Sequence, residues 1–326
     1  MIEVKDLRAG YRSGFRRAWR EVLQGVTFRV PRGTIAGYLG VNGAGKTTTI
    51  KVLVGVNRPT GGQASIDGQP VGTPAAQRLL GYSPESPFFY EGLTARELLA
   101  FYGRLSGVAA AGLRARADAL LGDVELEAAA DQPVRGFSKG MRQRLGLAQA
   151  LVHDPELLVL DEPLDGLDSM GRLHLRELIA RQRERGRTVF FSSHVLSDVE
   201  AVCDHLVVLD GARVAYEGSI AGFAAQAELI IEVRLAGDLS PQAAAALEQA
   251  AGAAPARTGD LHLVRCPGQP QADAAVDAAR AAGLNVVGVS PLRPSLEERF
   301  LERFGKHGEQ GKHDDVGERA AKGGAA

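Results

Sequence analysis

Short apolar segments alternate with longer segments of helical periodicity along the first two thirds of the chain. Thr34–Leu39, Leu157–Leu160 and Thr188–Phe191 are largely apolar, as expected for strands buried on both faces of a parallel sheet. Met170–Arg185, between the last two, predicts a helix, so that the three segments form a β-α-β unit. The pattern therefore predicts an α/β domain with a parallel sheet at its centre.

Further elements are predicted around this sheet. Three more strands are expected, at Met1–Leu7, Val22–Val30 and Gln63–Ile66. Residues 90–150 have mainly helical character, and Thr94-Ala95-Arg96-Glu97 forms a capping box that opens a helix at Leu98–Tyr102. A second helix is predicted at Gly140–Val152, with Ser138 at its N-cap. The α/β domain is therefore expected to carry a helical subdomain.

The composition changes near residue 225, which predicts a domain boundary there. Residues 226–304 are rich in alanine and predict strands and helices in turn: Leu229–Leu235, Pro241–Ala250, Leu261–Cys266, Asp273–Ala281, Asn285–Val289 and Ser295–Phe304. This order suggests a small α+β domain of the split β-α-β type. The apolar stripe of the last helix, Leu296, Phe300, Leu301 and Phe304, predicts packing or a dimer contact. Residues 305–326 lack apolar periodicity and predict a disordered tail.

The composition excludes several classes of protein. The 326 residues carry a net charge of −1, which argues against nucleic acid as a partner. The two cysteines, Cys203 and Cys266, provide no disulfide framework and suit a reducing cytoplasm. No signal peptide opens the sequence, and no apolar run reaches the roughly 18 residues of a membrane span. Any work at a membrane is therefore expected to depend on a partner.

The most informative motif is Gly40–Thr47, which fits the phosphate-binding pattern G-x-x-x-x-G-K-[ST]. It lies between a predicted strand and a predicted helix, which is the context that this motif requires. Backbone N–H groups of the loop and the start of the helix would surround the phosphates of a nucleotide. Lys46 would bind the β- and γ-phosphates, and the Thr47 hydroxyl would ligate Mg²⁺. The predicted nucleotide contacts are Gly40, Asn42, Gly43, Ala44, Gly45, Lys46, Thr47 and Thr48.

Two carboxylates follow the apolar strand Leu157–Leu160. Asp161 lies at the strand end, the edge of an open α/β sheet where ligands bind. There it can hold Mg²⁺ directly or through water. Glu162 can deprotonate a water that attacks the γ-phosphate. Alone the pair could be a solvated turn, but beside a phosphate loop it predicts a hydrolytic site.

In this order, the motifs resemble those of the ATP-binding subunit of an ATP-binding cassette (ABC) transporter. Residues 1–225 resemble one complete nucleotide-binding domain, with Walker A at Gly40–Thr47 and Walker B at Leu157–Glu162. Ser138-Lys139-Gly140-Met141 stands where the family has its signature. Further positions that match the family pattern are the D-loop Leu164–Asp168, the switch histidine His194 and the adenine-stacking aromatic Tyr11. The resemblance implies a P-loop NTPase fold, ATP and Mg²⁺.

At two places this sequence departs from the usual family pattern, and both departures indicate a particular subgroup of the family. Lys139 and Met141 stand where the signature usually has a glycine and a glutamine. Glu85, in Gly81-Tyr82-Ser83-Pro84-Glu85, replaces the glutamine that ordinarily contacts Mg²⁺; a carboxylate is also a suitable Mg²⁺ ligand. Both variants resemble subunits of ABC-2-type exporters.

The resemblance also implies a mechanism and partners. Two copies would enclose two ATP molecules head to tail, with Ser138 and Gly140 of one copy at the γ-phosphate held by the other. His194 would hold the water and Glu162 in place, and Asp168 would communicate across the interface. The expected partner is a permease on a separate chain, and its predicted contact is Phe88-Phe89-Tyr90 after the Glu85 loop. The subunit would lie in the cytoplasm, peripheral on the inner face of the cell membrane.

Two alternatives stay open at this point. One is an ABC ATPase of translation or DNA repair, although such proteins usually carry tandem cassettes or a long coiled coil, and this chain has one Walker A motif. The other is an importer subunit with a regulatory C-terminal domain, which Glu85 and the Ser138-Lys139-Gly140 signature argue against.

Overall fold

A computed structural model describes residues 1–13, 18–225 and 230–292. The predicted helix Ser295–Phe304, the predicted disordered tail 305–326 and residues 14–17 lie outside the described residues. The chain divides into two units between Ile220 and Ala221. None of the described helices is long and apolar enough to cross a membrane.

Among its described residues the first unit contains ten strands and seven complete α-helices, and an eighth helix begins at its last residue, Ile220. The strands are β1 (Ile2–Ser13), β2 (Ala18–Val30), β3 (Ile35–Gly40), β4 (Gly61–Ile66), β5 (Gln69–Pro70), β6 (Leu80–Ser83), β7 (Leu157–Leu160), β8 (Thr188–Ser193), β9 (His205–Asp210) and β10 (Arg213–Ser219). The helices are α1 (Lys46–Leu53), α2 (Pro74–Leu79), α3 (Ala95–Leu105), α4 (Leu113–Asp123), α5 (Lys139–Ala150), α6 (Ser169–Glu184), α7 (Leu196–Val202) and α8 (Ile220–Ala225).

Six strands form a central sheet in the order β10-β9-β3-β8-β7-β6. All neighbouring pairs are parallel except β10, which runs antiparallel to β9. Every residue of β3, β7 and β8 is buried, because other elements cover both faces of the sheet. The predicted parallel sheet is confirmed, and the carboxyl ends of β3, β7 and β8 meet at one edge.

A second, antiparallel sheet packs against the central one, with strand order β2-β1-β4-β5. Strands β1 and β2 are longer than the sequence predicted, because residues toward their outer ends, such as Tyr11, Trp19 and Arg20, are exposed and form no apolar alternation. Three aromatic rings join the sheets: Phe28 from β2, and Tyr38 and Phe190 from the central sheet. Their centroids lie 5.1–5.8 Å apart, within the range of favourable ring contacts.

The helical subdomain contains α3, α4 and α5. The predicted capping box is present, because Thr94 Oγ1 accepts the Glu97 backbone N–H and Glu97 Oε2 accepts that of Thr94. Helix α5 packs directly on the end of β6, where a Cβ on Gly146 would lie 2.7 Å from Ser83 Oγ. Only glycine allows this approach, which brings the start of α5 close to the loop after β6.

The second unit contains β11 (Ile230–Ala236), α9 (Pro241–Ala251), β12 (Ala256–Thr258), β13 (Leu261–Pro267), α10 (Gln269–Ala281) and β14 (Asn285–Leu292). Its antiparallel sheet has the order β12-β13-β11-β14. This β-α-β-β-α-β arrangement is the split β-α-β fold that the sequence suggested. Only β12 was not predicted, because its three residues are all exposed and carry no apolar pattern.

Candidate active site

The phosphate loop connects β3 to α1 at the carboxyl edge of the central sheet. Its conformation depends on Gly45, where φ is +107° and an added Cβ would lie 2.6 Å from a methyl carbon of Leu23. Other residues would be strained and would clash at this position. The loop therefore places Lys46 and Thr47 in the first turn of α1, facing the ends of the neighbouring strands.

Lys46 is the central cation of the site, and only 6% of the residue is exposed. Its Nζ donates a hydrogen bond to the Gly40 carbonyl at 2.7 Å and lies 3.2 Å from Glu162 Oε1. A buried ammonium is stable only with such partners. The ion pair joins the phosphate loop to the carboxylates after β7.

Asp161 follows β7 directly and is 3% exposed. Its Oδ1 accepts a hydrogen bond from Ser192 Oγ at 2.7 Å, and Thr47 Oγ1 lies 3.5 Å from the same oxygen. Burial raises the pKa of Asp161 above its ordinary value, and the Ser192 hydrogen bond opposes that rise. Asp161 and Thr47 thus bring a carboxylate and a hydroxyl oxygen together, as the sequence predicted.

Glu162 lies between Lys46 and His194. The His194 ring bonds through Nδ1 to Glu162 Oε2 at 2.9 Å, and the His194 backbone N–H donates to the same oxygen at 3.2 Å. Because an ionised carboxylate only accepts hydrogen bonds, Nδ1 is the protonated nitrogen in this arrangement. The backbone φ of Glu162 is +44°, which is uncommon for a residue with a side chain. The predicted base and switch histidine are therefore in direct contact.

Sequence reasoning missed Ser192. Its Oγ donates to Asp161 and also accepts the Glu162 backbone N–H at 2.8 Å, so that one hydroxyl holds both carboxylate residues. Ser192 lies on β8, and the pairing of β8 with β7 brings it within reach. The available signal was the polar pair Ser192-Ser193 at the end of an otherwise apolar strand, directly before His194.

A second group of predicted residues lies where α5 and α6 begin. Ser138 caps α5 by accepting the Met141 N–H at 3.2 Å, and Asp168 caps α6 by accepting the Gly171 N–H at 2.8 Å. Ser138 and Gly140 line a small cavity together with Leu167 and Gly171. In the part of the chain that the structure describes, no hydrogen bond or ion pair joins Ser138 or Asp168 to the Lys46–Glu162 group.

Tyr11 and Glu85 occupy exposed positions. Tyr11 lies on β1 with 46% of the residue exposed, and Glu85 follows β6 by two residues with an exposed side chain. The Glu85 carbonyl accepts a 2.7 Å hydrogen bond from Nε2 of Gln143, a buried residue of α5 that sequence reasoning also missed. Within residues 1–13, 18–225 and 230–292, no hydrogen bond joins the Tyr11 or Glu85 side chain to the phosphate loop.

A phosphate loop, a buried lysine and a strand-end carboxylate pair at one sheet edge define a P-loop nucleotide hydrolase. A sequence model of the ABC transporter family matches residues 23–165. A solved structure described as the ATP-binding subunit of an ABC transporter is 35% identical, with a TM-score of 0.62 over 69% of this chain and 92% of that one.

Curated relatives lead to the same family. An uncharacterized ABC transporter ATP-binding protein of Synechocystis is 36% identical over 94% of this chain and 86% of its own length. A Nod factor export ATP-binding protein of Burkholderia lata is 40% identical over 61% of this chain and 66% of its own length. A bacitracin transport ATP-binding protein of Bacillus licheniformis is 39% identical over 67% of this chain and 69% of its own length. The chain belongs to the ATP-binding subunits of ABC transporters, and it is an ATPase that serves as an energy-coupling subunit.

Proposed function

We propose that this subunit drives an ABC-2-type exporter whose permease is a separate chain. The observation that carries the proposal is the Lys46–Glu162–His194 group, which assembles the parts of ATP hydrolysis at one sheet edge. The export function in the name of one relative supports the direction of transport, and a second relative is named for transport. The departures at Lys139, Met141 and Glu85 support the same subgroup.

The contacts of Lys46 support a simple order of events when ATP binds. Lys46 now has the Glu162 carboxylate as its anionic partner, at 3.2 Å. The more highly charged β- and γ-phosphates compete for the ammonium. Glu162 is then released from Lys46 and can accept a proton from the attacking water. His194, bonded to the other oxygen of Glu162, keeps the carboxylate oriented.

The residues beside the phosphate loop fit Mg²⁺. Thr47 and Asp161 offer the hydroxyl and carboxylate oxygens that this ion prefers, and it is typically held by one or two carboxylates together with substrate phosphates. Among the described residues, no group of three or more His, Cys, Asp or Glu side chains is arranged so that it could hold a metal ion by itself. Glu85 is proposed as a further ligand. When bound, the ion neutralises charge on the transferred phosphate.

We further propose that hydrolysis requires a homodimer. Among the described residues, no hydrogen bond joins Ser138 or Gly140 to the Lys46–Glu162 group. This supports a role for both residues at the nucleotide of a second copy. Asp168, at the start of α6, would lie at the same interface. Two bound nucleotides then stabilise the head-to-tail pair, and hydrolysis releases it.

The proposed permease contact is the aromatic segment after the Glu85 loop. Phe88 is 89% exposed and Tyr90 is 58% exposed, whereas Phe89 between them is buried at 4%. Exposed aromatic side chains of this size favour a protein partner. We propose that this surface holds the subunit at the cytoplasmic face of the membrane through the permease.

Glu162→Gln provides the central test. The variant keeps the contacts to phosphate and metal but loses the base, so hydrolysis should fall by about 10²–10⁴-fold while ATP affinity stays normal. It should accumulate as an ATP-bound dimer in sedimentation. Near-normal turnover in the purified variant would contradict the assignment of the base.

Ser138→Arg separates binding from assembly. An arginine at the start of α5 should block the γ-phosphate site of the second copy, so ATP affinity of the single cassette stays unchanged while dimerisation and hydrolysis are lost. Loss of ATP affinity with intact dimerisation would contradict the action in trans. Copurification with a membrane protein encoded beside this gene would distinguish an exporter subunit from an ATPase of translation or repair.

A further inference from the structure

The antiparallel sheet of the second unit has one face on which none of the described helices of that unit packs. Helices α9 and α10 both lie against the face that carries Val233 and Val264. Side chains alternate between the two faces along a strand, and residues paired across an antiparallel ladder share a face. The opposite face, which we call the outer face, has at its centre Ile230, Glu232 and Arg234 of β11, Leu263 and Arg265 of β13, and Ser290 of β14.

The centre of the outer face carries charge and is nevertheless covered. Glu232 pairs with Arg265 at 3.9 Å, and its side chain is only 14% exposed although that of Arg265 is 67% exposed. A carboxylate is seldom hidden to this extent unless other groups lie over it. Ile230 and Leu263 beside the charges are half-buried, and no ion pair joins Arg234 to another described residue. The cover of this face must therefore supply apolar side chains and a negative charge.

The segment 295–304 follows this sheet at a distance of two residues. Strand β14 ends at Leu292, and a connection this short places the next element directly beside the sheet. Ser295 and Glu298 fit the capping-box pattern at the start of a helix, and Gly305 follows the last apolar position. A ten-residue helix is ~15 Å long, close to the ~14 Å width of four paired strands. The segment therefore has the length of helix that the outer face can hold.

The side chains of the segment match the outer face. At about 100° per residue, an arc of ~140° on this helix contains all of its apolar positions, which are Leu296, Phe300, Leu301 and Phe304. Glu297 lies inside the same arc, whereas Glu302 and Arg299 lie outside it. An acidic residue within an apolar stripe requires a cation on the surface that the stripe covers. The outer face provides two arginines for one glutamate.

We propose that residues 295–304 form a helix that covers the outer face of their own chain, with Glu297 beside Arg234. A segment tethered by two residues is present at its own sheet at an effective concentration of ~mM, which a second copy in dilute solution does not reach. The stripe is thus a packing surface and not a dimer contact. The inference goes beyond the proposed function, because it leaves the outer face closed to the permease and to a second cassette.

The test uses Ser290→Cys in the full chain as a reporter of the outer face. Its thiol should react slowly with a maleimide while the helix covers it. Phe300→Ser removes the central contact of the stripe, so the reaction should become faster by about tenfold or more as the segment opens locally. Arg299→Ser, one residue away and outside the stripe, is the matched control and should leave the rate unchanged. The native Cys266 is fully buried on the other face, so its thiol should stay unreactive unless the unit unfolds.

A charge reversal tests the pairing with Arg234 without removing an apolar contact. Glu297→Lys places a second cation on a surface with excess positive charge, so the Ser290→Cys thiol should react several-fold faster. Glu302→Lys makes the same change of charge outside the stripe and should have no effect. Mass spectrometry after digestion assigns each labelled thiol.

Three outcomes would overturn the proposal. A Ser290→Cys thiol that reacts in the parent chain as fast as a free thiol would show that the outer face is open. Slow labelling that neither Phe300→Ser nor Glu297→Lys changes would show that another part of the protein covers it. Protection that is lost on dilution would show that a second copy supplies the segment. If Cys266 becomes reactive in Phe300→Ser, the unit has unfolded, and the Glu297→Lys and Glu302→Lys pair decides. ATP hydrolysis does not enter these measurements, so their failure leaves the proposed function intact.

Discussion

The two units of the chain bury different kinds of side chain. At the sheet edge of the first unit, Lys46, Asp161 and Asp198 are each at most 6% exposed. In residues 230–292 the buried side chains are alanines, larger aliphatic residues and Cys266, as in the core around Val233 and Leu247. Burying charge opposes folding unless partners compensate for the lost solvation. The buried charges of the reactive site therefore lower the stability of the first unit, whereas the described part of the second unit is stabilised by apolar packing.

Leu247→Ala should have the largest effect on stability and none on catalysis. Leu247 lies on α9 and is fully buried in the core of the second unit. Loss of such a side chain costs about 2–5 kcal/mol of unfolding free energy. Denaturant unfolding of the full chain should show this loss, while ATP affinity and the hydrolysis rate stay at their parent values.

Val287→Ala serves as the control for that substitution. Val287 lies in β14 of the same unit and is 56% exposed, so its truncation should change the unfolding free energy by less than about 0.5 kcal/mol. A fall in ATP hydrolysis that parallels the loss of stability in Leu247→Ala would show that the second unit supports catalysis. The contrast between the two units would then be wrong.

Lys46→Ala should have the opposite consequence to Leu247→Ala, because it should impair ATP binding. It removes a charged hydrogen-bond donor to the phosphates, which is worth about 1.5–3 kcal/mol, so ATP affinity should fall roughly 10- to 150-fold. Nucleotide titration measures the effect. Lys51→Ala, in the same helix with an exposed side chain, should bind ATP normally. Unchanged affinity in Lys46→Ala would refute the assignment of the phosphate loop.

The site residues predicted from sequence belong to local motifs. Lys46, Thr47, Asp161 and Glu162 are recognisable because each group lies within a few residues of a strand end, and the structure brings them together. Ser192 could not be found in this way, because its contact with Asp161 depends on which strands are neighbours in the sheet.

The fold shows the same limit. Buried strands such as β7 are visible as apolar runs. Helix α2, strand β6 and the hairpin of β9 and β10 were not predicted, although β9 contains the buried apolar run Leu206–Leu209. Strand β6 has no such run, because Gly81 and Ser83 interrupt it, and its pairing with β7 is not visible in any local pattern. The sequence therefore predicts the catalytic residues and strands β3, β7 and β8, whereas the other three strands of the central sheet are evident only from the structure.

Arg172→Ala should lower the rate of hydrolysis by less than Glu162→Gln does. Arg172 Nε donates to the Leu167 carbonyl of the D-loop and Nη1 to Asp198 on α7, each at 3.3 Å. The guanidinium therefore links the D-loop to the helix that follows His194. Its loss should lower the hydrolysis rate about tenfold, or about 1.4 kcal/mol in activation free energy, with normal ATP affinity.

Arg176→Ala is the matched control for Arg172. Arg176 lies 3.9 Å from the same Asp198 carboxylate, and no hydrogen bond to the D-loop is seen for it among the described residues. Both substitutions should destabilise the first unit, but only Arg172→Ala should slow hydrolysis at a temperature where both variants are folded. Equal rates in the two variants would show that the arginine pair is purely structural.

Asp161→Asn should change stability only modestly, and the sign of the change is the sharpest test of the contrast between the units. Burial raises the pKa of Asp161, so the ionised carboxylate is less favourable in the folded chain than in the unfolded chain. Its contribution to stability is present at pH values below the ordinary value of 3.8 and is lost as the pH rises through the raised pKa.

Asparagine is always neutral and can still accept the Ser192 hydrogen bond. At pH 7 the variant should unfold at a higher temperature, by ~2–4 °C for each kcal/mol recovered, and the difference should shrink as the pH falls toward 4. Hydrolysis should be lost because the proposed Mg²⁺ ligand is removed. A lower unfolding temperature at pH 7 would mean that the burial of this charge is already fully compensated, and that the first unit gives up no stability for it.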